Sequence, residues 1–415
     1  MIVEVPPDLS RIRRTFFAES VRAVSAGVIE TALATFAILI AVKVFDAGPV
    51  FKSIIIAAPA IGLLGSFGAV SLVGNSRLKA SHAAGLISLG STFGFVLAAA
   101  GAHNETCFLV GITIGVGLIS MGMPLQIQYL RHNYPSAKRG RLFSVSVFIR
   151  AFTGMAVSWG FGEYLDQDLS NYPVLLWVFA GAAAVSGLCQ FTIPSEPLRA
   201  TVRTRSGFFD SLHIAREDRV FVKLLVSSMV LGIGILSAMA LRVDYLVNPV
   251  HGLELDIKTV SLITGVIPGI TRLISTFFWG WLFDHVSFFK VRIAINLLFL
   301  VGLLLYFIWP DTRLILIGSA LFGLARGGGE IFFNLFVTKL ATPEHVADYM
   351  SVHTFLAGVR TLLAPFIGFF LVQWANIPVM VVLSMALVLI ALFFVGTAAK
   401  QSREDELGKG TSGEG

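Results

Sequence analysis

The chain has 415 residues, 55% of them hydrophobic and only 13% charged, with a mean hydropathy of +0.81. That is too apolar for a water-soluble protein of this length and defines a polytopic membrane protein. The formal net charge of +6 does not point to nucleic acid, because the basic residues sit at the ends of apolar spans instead of forming one patch.

Apolar runs of about 20 residues, the length that crosses a hydrocarbon core of roughly 30 Å, recur near 21–44, 50–73, 81–101, 107–130, 143–164, 173–194, 220–243, 258–283, 291–309, 314–338, 351–373 and 376–398. The reading is an all-α polytopic membrane protein with twelve transmembrane helices. Arg11, Arg13 and Arg14 lead into a full-length span and not into a short cleavable one, so the first helix is expected to be retained. The N-terminus, the loops after even-numbered spans and the tail hold most of the lysine and arginine, including Lys138, Arg139, Arg141, Arg199, Arg203 and Arg205. The opposite side has Arg313 in a loop, with Lys43, Lys52, Arg242 and Lys258 at helix ends. This asymmetry places both termini in the cytoplasm. Cys107 and Cys189 fall inside spans, without metal-ligand spacing, and read as small packing residues.

The chain also resembles itself. Pro59-Ala-Ile-Gly-Leu-Leu-Gly-Ser66 in the second span matches Pro268-Gly-Ile-Thr-Arg-Leu-Ile-Ser275 in the eighth, and Ser144-Val-Ser-Val-Phe-Ile149 matches Ser351-Val-His-Thr-Phe-Leu356, both at an offset of half the chain. Two related bundles follow, 1–194 and 220–398. The polar stretch 195–219 is the linker, with a short amphipathic run at 208–214 that can lie on the membrane face. The tail 399–415 is polar, glycine-rich at its end, and expected to be disordered.

Within the tenth span, Arg326, Glu330 and Asn334 follow one another at i, i+4 and share one helix face. A charge at bilayer depth costs roughly 2.5–3.5 kcal/mol even on lenient insertion scales, so such residues face protein or water. Gly327 to Gly329 remove side chains from the turn between the charges and admit another backbone or a ligand. This face reads either as a structural ion pair or as one wall of a solute pathway. Glu30 lies near the middle of the first span with no partner one turn away; it is either a structural carboxylate paired with an arginine of another helix or a proton or solute contact. Arg150 and Arg360 can snorkel to the headgroups, Arg272 is nearer mid-span, and Arg22 is placed at the interface. Arg150, Arg272, Arg326 and Arg360 outnumber Glu30 and Glu330, and guanidinium groups pair bidentately with carboxylate or phosphate. An anionic solute is the expectation.

The eighth span ends in Gly280-Trp-Leu-Phe-Asp284-His-Val-Ser-Phe-Phe-Lys290-Val-Arg292, which resembles the cytoplasmic loop motif of the major facilitator superfamily, G-x-L-x-D followed by basic residues. There Asp284 can cap the next helix or pair across the bundle, while Lys290 and Arg292 hold the loop in the cytoplasm. The first half has Asn75 where the repeat maps the aspartate, and asparagine cannot hold a salt bridge. The basic turn Lys138-Arg139-Gly140-Arg141 is also similar to this family, whereas the Gly-Pro pattern of many antiporters is missing from the fifth span. The resemblance implies two six-helix bundles around a central cavity, lined by the first, fourth, seventh and tenth helices, that rock between inward and outward openings. The polar residues on those helices include Glu30, Thr31, Thr35, Gln126, Gln128, Ser237, Arg242, Asp244, Arg326, Glu330 and Asn334. Together with the positive balance of mid-span charge, this gives the expectation of a secondary transporter of a small, anionic organic solute, proton-coupled, monomeric, in a plasma or inner membrane. An exporter of drugs or metabolites is the alternative, and a non-transporting receptor or intramembrane enzyme the remote one. No nucleotide-binding glycine loop, metal cluster or catalytic pair is evident in the sequence, so no cofactor is expected and ion gradients are the energy source.

Overall fold

The computed structural model describes residues 8–76, 78–197, 213, 216–251, 253–340 and 346–411, with the side chains at 136–137, 334–340, 346–348 and 403–411 outside that description. Twelve helices are long and apolar enough to cross a membrane: α1 Leu9–Lys43, α2 Pro49–Gly74, α3 Ala80–Ala100, α4 Glu105–Asn133, α5 Lys138–Gln167, α6 Leu169–Thr192, α7 Arg219–Val247, α8 Ile257–His285, α9 Phe288–Phe307, α10 Thr312–Phe333, α11 Tyr349–Trp374 and α12 Ile377–Ser402. The helix of α10 runs on to Leu340 and that of α12 to Thr411. The tail read as disordered is therefore helical as far as Thr411, where glutamate, leucine and lysine are strong helix formers. Most of the linker, including the amphipathic run at 208–214 apart from His213, lies outside the described residues.

Helix starts follow local chemistry. Asn104 accepts from the Cys107 amide at 3.0 Å, Asp218 from Phe221 at 2.9 Å and Asp256 from Thr259 at 2.9 Å, each satisfying one of the orphan donors of a first turn. Pro49 opens α2, where its missing N–H is not needed. Two short π segments interrupt α1 at Ala32–Phe36 and α8 at Leu262–Val266, each adding a residue to its turn and rotating the side chains beyond it.

Packing divides the chain into two units: residues 1–202 with 246–269, and 203–245 with 270–415. In the first, α1 packs on α5 and α6, α3 on α4 and α6, and α2 on α4. In the second, α7 packs on α11 and α12, and α9 on α10 and α12. The pairings repeat with the half-chain offset seen in the sequence, which is the packing counterpart of that repeat. The start of α8 belongs with the first unit, although the sequence places it in the second bundle. It is held there by Asp166, whose carboxylate accepts from the Ile257 amide at 2.8 Å, and by Lys258 with Glu163 at 2.6 Å.

Side chains inside lipid gain nothing from a hydrophobic effect between helices, so close backbone approach carries much of the association. At the α2–α4 crossing, a Cβ on Gly62 would lie 1.8 Å from the carbonyl oxygen of Gly117. Gly62→Ala should therefore destabilise the protein by over-packing, by about 1–3 kcal/mol, whereas Gly68→Ala, with nothing within 4 Å of the new methyl, should leave stability within about 0.5 kcal/mol. Melting temperatures of the two purified variants in one detergent test this.

Candidate functional site

In the first unit, α1 and α5 touch at Gly27: a Cβ there would fall 2.4 Å from the carbonyl oxygen of Arg150. This close approach sets Glu30, one turn later, beside the Arg150 side chain, with Oε2 to Nε at 3.4 Å and each side chain 34% exposed. The Glu30 carboxylate thus has a partner on another helix, one of the two readings that the sequence left open. Just past Glu30, the π segments of α1 and α8 present hydroxyls to each other: Thr35 Oγ1 and Thr264 Oγ1 are 2.8 Å apart and buried. Ser158 of α5 donates to the Ser261 carbonyl at 3.2 Å beside them. Gln126 of α4 is 8% exposed.

In the second unit, α8 lies against the glycine triplet of α10. A Cβ on Gly327 would come 2.5 Å from Ser275 Oγ, and one on Gly328 2.8 Å from the Trp279 ring, while Gly329 has nothing within 4 Å. The Trp279 indole donates to the Leu324 carbonyl at 2.8 Å and fixes the contact. Two of the three glycines thus serve a neighbouring helix, and one faces open space. This packing brings Arg272 of α8 to Glu330 of α10. Arg272 Nη1 and Arg326 Nε are each 3.5 Å from the same oxygen, Glu330 Oε1. Arg272 is 11% exposed, whereas Arg326 and Glu330 are 56% and 51% exposed. One carboxylate oxygen thus stands within ion-pair distance of two guanidinium groups, and two of the three side chains are half exposed.

Other sequence candidates with described side chains have different surroundings. Arg360 does not join Arg272, Arg326 and Glu330; the Nη1 group donates to the Ser228 carbonyl of α7. The side chain of Asn334 lies outside the described residues. In the loop motif, Asp284 is exposed and neither caps α9, whose N-cap is Ser287, nor pairs across the bundle among the described residues. Asn75 ends α2 as an exposed C-cap. Gly280 has open space around it, and Lys290 is exposed. Arg292, read as a loop residue, is buried at 7% exposure because α9 begins at Phe288 and carries it inward. Arg22, read as interfacial, is buried with Glu19, its Nε donating to Oε2 at 2.7 Å and its Nη2 to Oε1 at 2.5 Å. The i, i+3 spacing of Glu19 and Arg22 was the available signal. At the end of α4, His132 Nε2 stands 3.2 Å from Glu196, just past α6; that hydrogen bond first, then the charges of His132 and Arg11, holds the Glu196 carboxyl below its ordinary range.

The model of the Major Facilitator Superfamily matches residues 235–413. Solved transporters share the fold over nearly the whole chain. One structure of the nucleoside transporter NupG, a single-residue variant, superposes with a TM-score of 0.76 at 13% identity, covering 92% of this chain and 99% of that one. A second NupG structure gives 0.70 at 13% identity over 94% and 99%. An inward-facing, unoccupied bacterial homologue of the human lysosomal transporter Spinster gives 0.64 at 12% identity over 95% and 98%. No curated protein matches. The second half of the chain thus matches the Major Facilitator Superfamily by sequence, and nearly the whole chain shares the fold of these solved transporters. Its twelve long apolar helices are those of a multi-pass membrane protein, and the solved proteins that share its fold are transporters.

The shared oxygen has an unequal consequence for its partners. Loss of Glu330 leaves the nearly buried Arg272 without its carboxylate, and an uncompensated buried charge costs about 3–5 kcal/mol. Loss of Arg326, a half-exposed partner, costs about 0–1 kcal/mol. Glu330→Gln should therefore lower the yield and melting temperature of folded protein far more than Arg326→Gln. Arg272→Met with Glu330→Met should restore folding, because both ends of the buried contact are then apolar. Fluorescence-detected size exclusion with a thermal ramp reads all three.

Proposed function

We propose that this transporter carries a small organic anion by alternating access, coupled to protons, with both termini in the cytoplasm of a plasma or inner membrane and the monomer as the working unit. The observation that carries the anion reading is the cluster of Arg272, Arg326 and Glu330, where two guanidinium groups share one carboxylate oxygen and half of the group is open. A carboxylate or phosphate entering there exchanges water for a planar, charge-assisted fork. Asn334, on the same helix face by spacing, and Gln126 of α4 are assigned to the same pathway as neutral hydrogen-bonding groups. Gly280, Asp284, Lys290 and Asn75 keep their assignment to the loops that accompany opening and closing, whereas Arg292, buried within α9, leaves it.

Glu30 is assigned the proton. While paired with Arg150 it has a charged partner, so taking a proton requires that contact to open, and opening it frees Arg150 for solute or water. Coupling then follows from competition: proton on Glu30 and anion on Arg150 replace the ion pair together. The fold neighbours, a nucleoside transporter and a homologue of a lysosomal transporter, are 11–13% identical, so they support the fold and leave the substrate to the site chemistry. An exporter of drugs or metabolites remains the second reading, supported by the apolar wealth of the spans.

Proteoliposomes test the reading. A panel of carboxylates, phosphates, nucleosides, sugars and cationic drugs is screened first by thermal shift, since a specific ligand stabilises by mass action. A carboxylate or phosphate should score; stabilisation by cationic drugs alone would favour the exporter. Arg272→Gln should weaken the scoring anion by about 1.5–3 kcal/mol. Glu30→Gln should abolish accumulation driven by a proton gradient and spare exchange without one. Undiminished accumulation would move the proton site elsewhere. For topology, Asn171→Cys should react with an impermeant thiol reagent on intact cells and Ser287→Cys should not; the reverse pattern inverts the assigned orientation.

A further inference from the structure

A buried arginine with no counter-charge is among the least tolerated groups in an apolar bundle. In the first unit, Arg22 and Arg150 have a carboxylate oxygen at 2.5 and 3.4 Å; in the second, Arg272 and Arg326 have one at 3.5 Å. Arg292 and Arg360 are different. Arg292 of α9 donates from Nη2 to Ser228 Oγ at 3.3 Å and lies 4.3 Å over the Phe332 ring. Arg360 of α11 donates from Nη1 to the backbone carbonyl of the same Ser228. Its Nε is buried with no hydrogen-bond acceptor among the described residues. Its stem crosses α7 at Gly232, where a Cβ would intrude to 2.5 Å from both Cδ and Nε. His353, 3% exposed, stands seven residues before Arg360 on the same face of α11. Among the described residues no carboxylate pairs with either arginine. The aromatic face and the Ser228 carbonyl solvate the two cations but neutralise neither.

We propose that Arg292, Arg360 and Ser228 form a binding site for one oxyanion, of the phosphate or carboxylate class, inside the second unit. The two guanidinium groups converge on one residue, so a single anion can accept from both forks. The Ser228 hydroxyl, whose proton is free to rotate, adds a donor. Gly232 keeps the Arg360 arm in place by having no side chain. The three helices are odd-numbered spans that begin on one membrane face, and Ser228 and Arg292 lie in the halves of α7 and α9 nearer that face. A free anion from solution and the headgroup of an anionic lipid can both supply the oxygens. The site is separate from the cluster around Glu330 and does not depend on what the protein transports.

The experiment is binding read as melting temperature in phosphatidylcholine nanodiscs in chloride buffer. One arm adds inorganic phosphate; the other replaces part of the lipid with phosphatidylglycerol and adds no phosphate. The wild-type protein should show a saturable rise of a few degrees in at least one arm; a rise with phosphate assigns a free oxyanion and a rise with phosphatidylglycerol a headgroup. Arg292→Gln with Arg360→Gln should lose the response and melt no lower than wild type in chloride alone, since two unneutralised charges are gone. Should that pair fail to fold, Ser228→Asp is the independent variant: a tethered carboxylate should raise the melting temperature in chloride and remove the anion response. No response of the wild-type protein in either arm overturns the site. So does a response undiminished in the variants, or one abolished by Arg272→Gln, which would assign it to the solute cluster.

Discussion

The cost of holding charge in hydrocarbon governs how this protein uses its few ionisable residues. At roughly 2.5–3.5 kcal/mol per group on insertion scales, a mid-span arginine or glutamate persists where another helix supplies its partner. Glu30 finds Arg150 across α1 and α5, and Glu330 takes Arg272 and Arg326 from α8 and α10. The consequence is mechanical as well as electrostatic. The Glu30–Arg150 and Arg272–Glu330 contacts each tie together two helices, and each can be replaced by water, a proton or a solute group of matching charge. A transporter needs contacts of this kind, strong enough to hold a state and weak enough in net terms to be exchanged, because the desolvation cost of the ions offsets much of their attraction.

Those contacts exist because backbones come close. Gly27 lets α1 reach α5 beside Glu30, and Gly327 and Gly328 let α8 reach α10 beside Glu330. In both units the small residue sits within one turn of the charge it positions, so packing and electrostatics are built from the same stretch of helix. The π segments of α1 and α8 add a second device: an extra residue in the turn rotates Thr35 and Thr264 toward each other. Thr264 also donates to the Val260 carbonyl of its own helix at 2.8 Å, so its hydroxyl oxygen accepts from Thr35.

The sequence by itself determined the parts that depend on counting along one helix. Span number and the shared face of Arg326 and Glu330 follow from hydropathy and periodicity, and the fold carries them. Tertiary structure alone decided the rest, because the partner of a charge lies on a helix whose rotation and depth no single span reveals. It gave Glu30 its arginine, shared Glu330 between two guanidinium groups, and set Arg360 on α7 apart from that cluster. It buried Arg292, which one turn of difference in where α9 begins moved from loop to core. It also assigned the start of α8 to the first unit, through a carboxylate cap and a lysine contact that come from α5. Hydrophobic pattern fixes which residues enter the membrane; close packing between helices fixes which of them meet.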